Sequence, residues 1–217
     1  MSPPHSPRIY VLAGVNGAGK SSIGGAAFRA TGADYYNPDE AARTWMAANP
    51  ALTQADANSA AWGKGVELLT RAIGERKNFA FETTLGANTI PRLLMEAASQ
   101  GIELYVWYVG LFSPELHIER VRARVRRGGH DIAAEHIRRR YEHSRLNLVD
   151  LLPRFTALRV YDNSADADLA AGKIPKPKLV LHMENGKILN RRNLRSTPNW
   201  AKPIVAAALK LTASREI

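Results

Sequence analysis

Residues 14–21 read Gly14-Val15-Asn16-Gly17-Ala18-Gly19-Lys20-Ser21. A glycine, four free positions and then Gly-Lys-Ser make the G-x-x-x-x-G-K-[ST] phosphate-binding pattern, whose setting restricts the fold to a strand–loop–helix unit. Ile9-Tyr10-Val11-Leu12-Ala13 precedes it, a short β-branched and apolar run that predicts a buried strand. Ser22-Ile23 and an Ala/Gly-rich stretch follow and predict a helix from Ser21 to about Arg29. Glycines let the backbone turn its N–H groups inward with no Cβ in the way. Those groups and the helix N-terminus form a nest for phosphate oxygens. Gly14, Asn16, Gly17, Ala18, Gly19, Lys20, Ser21 and Ser22 are therefore the candidate nucleotide contacts. In this pattern the lysine, Lys20, reaches the β- and γ-phosphates, and the hydroxyl, Ser21, is the candidate Mg²⁺ ligand. The loop specifies a bound nucleotide; it leaves the fate of the γ-phosphate open.

The rest of the chain alternates strand-like and helix-like patterns, which predicts an α/β fold with a mostly parallel sheet flanked by helices. Strands are expected at Arg8–Ala13, at Asn78–Glu82, at Glu103–Leu111 and at Leu158–Asp162, and a short strand or turn at Ala33–Asn37. Helices are expected from Pro38 to near Asn49, from about Thr53 to Arg76 and from about Pro91 to Gln100. Two more, both arginine-rich, are expected from Pro114 to Gly128-Gly129 and from Asp131 to Leu148. Ser113 and Pro114 read as N-cap and first helical residue, and Gly101 as a C-terminal cap. Lys178–Met183 and Ile188-Leu189 around Asn185-Gly186 predict a hairpin. A last helix is expected from near Pro198. The whole reads as a single domain over 1–217, with a core at about 8–165 and a C-terminal hairpin and helix at about 173–217.

Composition narrows the class. The chain has 217 residues, 45% of them hydrophobic, enough for one domain with a sizeable core. It has no cysteine, which excludes disulfides and thiol chemistry. The N-terminal lead is polar and proline-rich, unlike a signal peptide, and no apolar run is long enough to span a bilayer. A cytoplasmic location is the expectation. The net charge of +10 points to an anionic partner or substrate. The basic residues cluster at Arg120–Arg145 and at Lys173–Arg195.

Three further groups gather around the loop. Asp39 follows the second strand, so it should face the crevice at the strand carboxyl ends. There a carboxylate can accept the proton of an attacking hydroxyl; alternatively it complements the helix N-terminus together with Glu40. Glu82 and Thr84 end the Asn78–Glu82 strand region and are candidate substrate contacts, with Arg43 and His130 as further ones. Arg120 and Arg124 are one helical turn apart and share a face. Followed by Gly128-Gly129, they suit a hinged lid whose guanidinium groups neutralise charge on a transferred phosphoryl. Arg122 and Arg126 are expected to face water.

Taken in order, Gly14–Ser21, Asn37-Pro38-Asp39-Glu40, Phe81–Leu85, Arg120–His130, Ile137–Tyr141, Asn147-Leu148 and Tyr161–Ser164 resemble the zeta toxin family of P-loop kinases over about residues 8–165. The resemblance implies a P-loop NTPase fold with an Arg-rich helical lid, ATP and Mg²⁺ as cofactors, and γ-phosphate transfer to a small-molecule hydroxyl. In the best-known members the acceptor is UDP-N-acetylglucosamine. By the same resemblance Asp39 is the general base, Lys20 the γ-phosphate contact, Glu82 and Thr84 acceptor contacts, and Arg120 and Arg124 lid residues. A proteinaceous antitoxin is an implied partner; nucleic acid and membrane are not. The sequence departs from those toxins in the Val-Asn-Gly-Ala filling of the loop, in Asn-Pro-Asp where they carry paired acids, and in Gly128-Gly129-His130. These departures bear on the acceptor more than on the reaction. The competing reading, favoured by the basic surplus, is a nucleic-acid-associated NTPase or polynucleotide kinase.

Overall fold

A computed structural model of the chain describes residues 6–20, 34–165 and 177–214. Its centre is a seven-stranded sheet of order β2-β3-β1-β4-β5-β6-β7. The strands are β1 (Arg8–Ala13), β2 (Asp34–Tyr36), β3 (Phe79–Thr83), β4 (Glu103–Gly110), β5 (Ala157–Asp162), β6 (Lys178–Glu184) and β7 (Lys187–Arg191). The first five run parallel; β6 and β7 are antiparallel additions at one edge. β1 lies between β3 and β4, so the chain fills one side of it before crossing to the other. A crevice for ligands opens at such a reversal, outside the strand carboxyl ends. The phosphate loop leaves β1 at that point.

Burial explains why β1 reads as continuously apolar. Val11 packs into the main core with Leu104, Val106, Leu158 and Val160. Its neighbour Leu12 packs on the opposite face with Ala18, Ala80 and Val109. A strand covered on both faces has no polar side to show.

The helices are α1 (Pro38–Ala48), α2 (Gln54–Gly74), α3 (Thr89–Ser99), α4 (Pro114–Val125), α5 (Ala134–Leu151) and α6 (Lys202–Ala213). Their starts follow local chemistry. Asn37 Oδ1 accepts from the amides of Asp39 (2.9 Å) and Glu40 (3.3 Å), and Pro38 takes the first position of α1. Thr53 caps α2 and Ser113 caps α4 in the same way. α3 begins at Thr89, before the expected Pro91, because a proline in the first turn gives up no intrahelical bond. α5 begins at Ala134 rather than Asp131. Ala133 is not helical (φ −54°, ψ 134°), and the Asp131 carboxylate accepts from the Ile132 amide at 2.8 Å. α6 begins at Lys202, after a 3₁₀ turn at Asn199–Ala201, later than the expected Pro198.

Asn185 and Gly186 have φ of 50° and 78°, the two positive values that a two-residue hairpin turn requires. The hairpin extends the same sheet through β5, and α6 packs on it. Trp200, just before α6, lies over Gly110, where a Cβ would come within 2.4 Å of the indole. Its Nε1–H donates to Asp162 at 3.1 Å. The expected helix after the loop, with Ser21 and Ser22, lies outside the described residues. Among the described residues no helix is long and apolar enough to cross a membrane.

Candidate active site

The phosphate loop is held by its neighbours on three sides. Gly14 has φ 146° and donates its N–H to Thr83 O at 3.1 Å. A Cβ at Gly14 would lie 2.4 Å from Val109 O, and one at Gly17 would lie 2.7 Å from His117 O. These glycines are needed for close approach to β4 and α4 as well as for the turn. His117 is fully buried and donates from Nδ1 to Asn16 O at 2.9 Å. Burial pushes its pKa down to about 4, against the opposing pull of that bond, with Lys20 and Arg120 lowering it further. Asn163, after β5, donates to Ala18 O at 2.8 Å.

In front of the loop is a cavity of about 370 Å³. Asn16, Lys20, Asp39, Glu82, Thr84 and His130 all line it. The loop, the start of α1, the end of β3 and the α4–α5 connection therefore meet at one place. Lys20 Nζ donates to Gly14 O at 2.8 Å, folded across the loop. Asp39 is half-exposed and faces Arg124 across the cleft, with Nη1 3.7 Å from Oδ2. Glu40, its neighbour, does not line the cavity. Glu82 is buried and accepts from the Tyr35 hydroxyl. Thr84 uses its hydroxyl within the turn, accepting from Gly86 N at 3.4 Å, while Ser144 Oγ on α5 donates to its carbonyl at 2.7 Å. His130 is half-buried, and burial lowers its pKa, with nearby Arg124 and Arg43 adding to the effect and Asp39 opposing it.

Three candidate arginines are not among the cavity-lining residues: Arg43, Arg120 and Arg124. Arg43 is exposed on α1, its Nε 3.3 Å from Asp39 O. Arg120 shares a helix face with Arg124 but has a different destination. Its Nη2 donates to Asn163 O at 2.9 Å and Ala165 O at 3.2 Å, beyond the end of β5. Arg124 instead reaches Asp39 and the His130 carbonyl, and among the described residues its buried Nε has no hydrogen-bond partner. Gly129 allows this course, since a Cβ there would lie 2.6 Å from Arg124 Cγ. Arg122 and Arg126 face water as expected.

Several cavity residues carried no signal in the sequence. Trp62, Val66 and Asn58 on α2 form one wall with Tyr36 and Ile90. Trp62 is 49% exposed. Tyr36 donates to Ala61 O at 2.6 Å, and its ring fits against Gly65, where a Cβ would lie 3.0 Å away. Arg140 on α5 enters from the far side and donates to Asn16 Oδ1 at 2.8 Å. The Ile137–Tyr141 segment marked its neighbourhood but not its direction.

The donor set fits a nucleotide. A glycine-held loop, a lysine at its end and a carboxylate share one cleft, and Arg124 pairs with that carboxylate. No cluster of three His, Asp or Glu able to hold a metal occurs among the described residues. Mg²⁺ in nucleotide sites uses one or two protein ligands and the substrate's phosphates; the candidate ligand, Ser21, is outside the described residues.

Comparison with known proteins agrees with this geometry. A Haemophilus influenzae protein of uncharacterised function is 32% identical over 132 residues, 59% of this chain and 88% of that protein. The crystal structure of AvrRxo1-ORF1:-ORF2 with ATP is similar with a TM-score of 0.64 at 14% identity, over 95% of this chain and 65% of that chain. This chain thus spans a little under two thirds of its length. A structure from the PezAT chromosomal toxin-antitoxin system of Streptococcus pneumoniae is similar with a TM-score of 0.54 at 16% identity, over 96% of this chain and 87% of that one. These likenesses establish a P-loop fold with a mostly parallel sheet flanked by helices. Residues 1–172 match the zeta toxin family, and the chain belongs to it.

Proposed function

We propose that this protein is an ATP-dependent kinase that transfers the γ-phosphate to a hydroxyl of a nucleotide sugar or related metabolite. The observation that carries the reading is the shared cavity: Lys20 at the phosphate loop and Asp39 opposite it, with Arg124 paired to Asp39. Asp39 accepts the proton of the acceptor hydroxyl as its oxygen bonds to the γ-phosphorus and ADP leaves. Lys20 exchanges its Gly14 carbonyl for phosphate oxygens. Arg124 neutralises charge on the transferred group. Its ion pair with Asp39 is long and half-exposed, so it is worth little and yields readily to substrates. Glu82, Thr84 and the Trp62 wall hold the acceptor, with His130 at the edge and Arg43 serving a substrate that extends outside. Arg120 acts on the nucleotide side, behind the loop. Ser21 would hold Mg²⁺, which would supply neutralisation of phosphate charge. A protein partner covering the cleft, as an antitoxin would, is part of the proposal. It rests on the AvrRxo1-ORF1:-ORF2 complex and the PezAT toxin-antitoxin system among the structural neighbours.

The test is incubation with labelled ATP and a panel of nucleotide sugars, nucleosides and dinucleotides. Asp39→Asn should abolish transfer and largely spare nucleotide binding; Lys20→Ala should damage both. Full transfer by Asp39→Asn would remove the base.

One observation favours a second reading. Ten of the 30 Lys and Arg residues but only two of the 20 Asp and Glu lie in residues 173–217, beyond the family match. That segment carries +8 of the net +10. A nucleic-acid-associated kinase would use it to hold a polyanion. Including a 5′-hydroxyl oligonucleotide in the panel, at several salt concentrations, separates the two readings.

A further inference from the structure

We infer that Asn16 is a positioning residue, which holds Arg140 against the phosphate loop so that the rest of its guanidinium faces the phosphoryl group in transfer. The inference rests on the kinase reading above and adds a coupling between loop and α5 that the reading does not require.

The contact spans 124 residues of sequence and is short, Arg140 Nη1 to Asn16 Oδ1 at 2.8 Å. Both ends are held. Asn16 is 7% exposed, and its own carbonyl is bound by buried His117. Arg140 reaches the cavity only because residue 86 has no side chain. A Cβ at Gly86 would lie 2.8 Å from Arg140 Cγ and 3.1 Å from its Cα. The end of β3 and α5 thus meet closely at the point where this arginine turns inward.

The chemistry of the pair points to an anion. Among the described residues no carboxylate forms an ion pair with Arg140, and its hydrogen-bond partner is a neutral amide. A guanidinium drawn out of water is normally compensated by a negative charge. A neutral amide orients one Nη without neutralising the charge, on which Asp39 acts only at longer range. An arginine has five N–H donors in a fixed fork, so fixing one end aims the other. The aimed end lies in the cavity that Lys20 and Asp39 also line. An aspartate at position 16 would hold Arg140 more firmly but cancel its charge beside the phosphates. The choice of asparagine distinguishes an aiming device from a structural tie.

The test compares affinity for MgADP alone with affinity for MgADP plus aluminium fluoride, which mimics the phosphoryl in flight, for the wild type, Asn16→Ala, Asn16→Asp and Arg140→Gln. The readout is the ratio of the two affinities. Thermal unfolding of each variant runs alongside. Losing a hydrogen bond to a charged group predicts that the ratio falls about tenfold to a hundredfold in Asn16→Ala. Arg140→Gln should lose as much or more, and Asn16→Asp should lose it while remaining as stable as the wild type. Asn16→Ala combined with Arg140→Gln should be no worse than Arg140→Gln alone. If Asn16→Ala unfolds, Arg140→Gln and Asn16→Asp read the same link. A wild-type ratio preserved in Asn16→Asp overturns the inference alone. A wild type that binds ADP but gains nothing from aluminium fluoride overturns the kinase reading, and the inference with it.

Discussion

Acidification should destabilise this protein through His117, a residue of the loop's support rather than of its chemistry. The imidazole is fully buried, with Nδ1–H given to Asn16 O at 2.9 Å. Among the described residues its buried Nε2 has no partner, so a second N–H there would have no acceptor. Lys20 and Arg120 add repulsion, and the pKa falls from 6.5 to about 4. Above pH 6.5 the ring is neutral in both folded and unfolded chains and contributes no slope. Between pH 6.5 and 4 the unfolded chain binds a proton that the folded one refuses, so stability falls as pH falls. At about 1.4 kcal/mol per unit, the loss over that window is on the order of 3 kcal/mol. The assay is urea unfolding at half-unit steps from pH 7.5 to 4 for the wild type and His117→Asn. Asparagine's Nδ2 can keep the bond to Asn16 O without titrating. All carboxylates titrate alike in both proteins, so the difference in slope isolates His117. The variant should flatten the curve between pH 6.5 and 4 and nowhere else. Parallel curves for the two proteins, or an NMR titration placing this ring near its ordinary pKa, would refute the reasoning.

Gly14→Ala should cost roughly 2–5 kcal/mol, from a strained φ of 146° and a Cβ within 2.4 Å of Val109 O. A melting temperature within a degree or two of the wild type would show that the loop can back away from β4. Trp62→Ala should raise KM for the acceptor roughly tenfold, as loss of one aromatic contact does, with kcat and stability nearly unchanged because the ring is 49% exposed. An unchanged KM would remove α2 from the acceptor wall.

Much of the fold was legible because its signals are local. The caps Asn37, Thr53 and Ser113 act on amides two or three residues away. Asn185-Gly186 sets a turn by its own backbone preferences. The apolar run of β1 reports burial on both faces, and the mostly parallel sheet flanked by helices follows from alternation. Boundaries slipped where a local signal was ambiguous. Asp131 looked like a helix start, but its carboxylate folds back onto the Ile132 amide instead.

The site was legible only in part. The loop, and Asp39 as a carboxylate at a strand's end, followed from sequence and topology. The arginines show the limit. Periodicity placed Arg120 and Arg124 on one face, yet one bonds the chain after β5 and the other reaches Asp39. Arg140 lay in the Ile137–Tyr141 segment without a role assigned to it, and nothing singled out Trp62 or His117.

The sequence by itself determined the phosphate loop, the helix starts capped by Asn37, Thr53 and Ser113, the hairpin turn and the family. Each depends on residues within a turn of one another, or on an ordered set of short motifs. Only the tertiary structure decided which side chains meet across the cleft. The Asn16–Arg140 contact joins residues 124 apart, and Tyr35 meets Glu82 from a different strand. The reason is geometric: helical spacing tells which residues share a face, while what lies opposite that face depends on how distant elements pack.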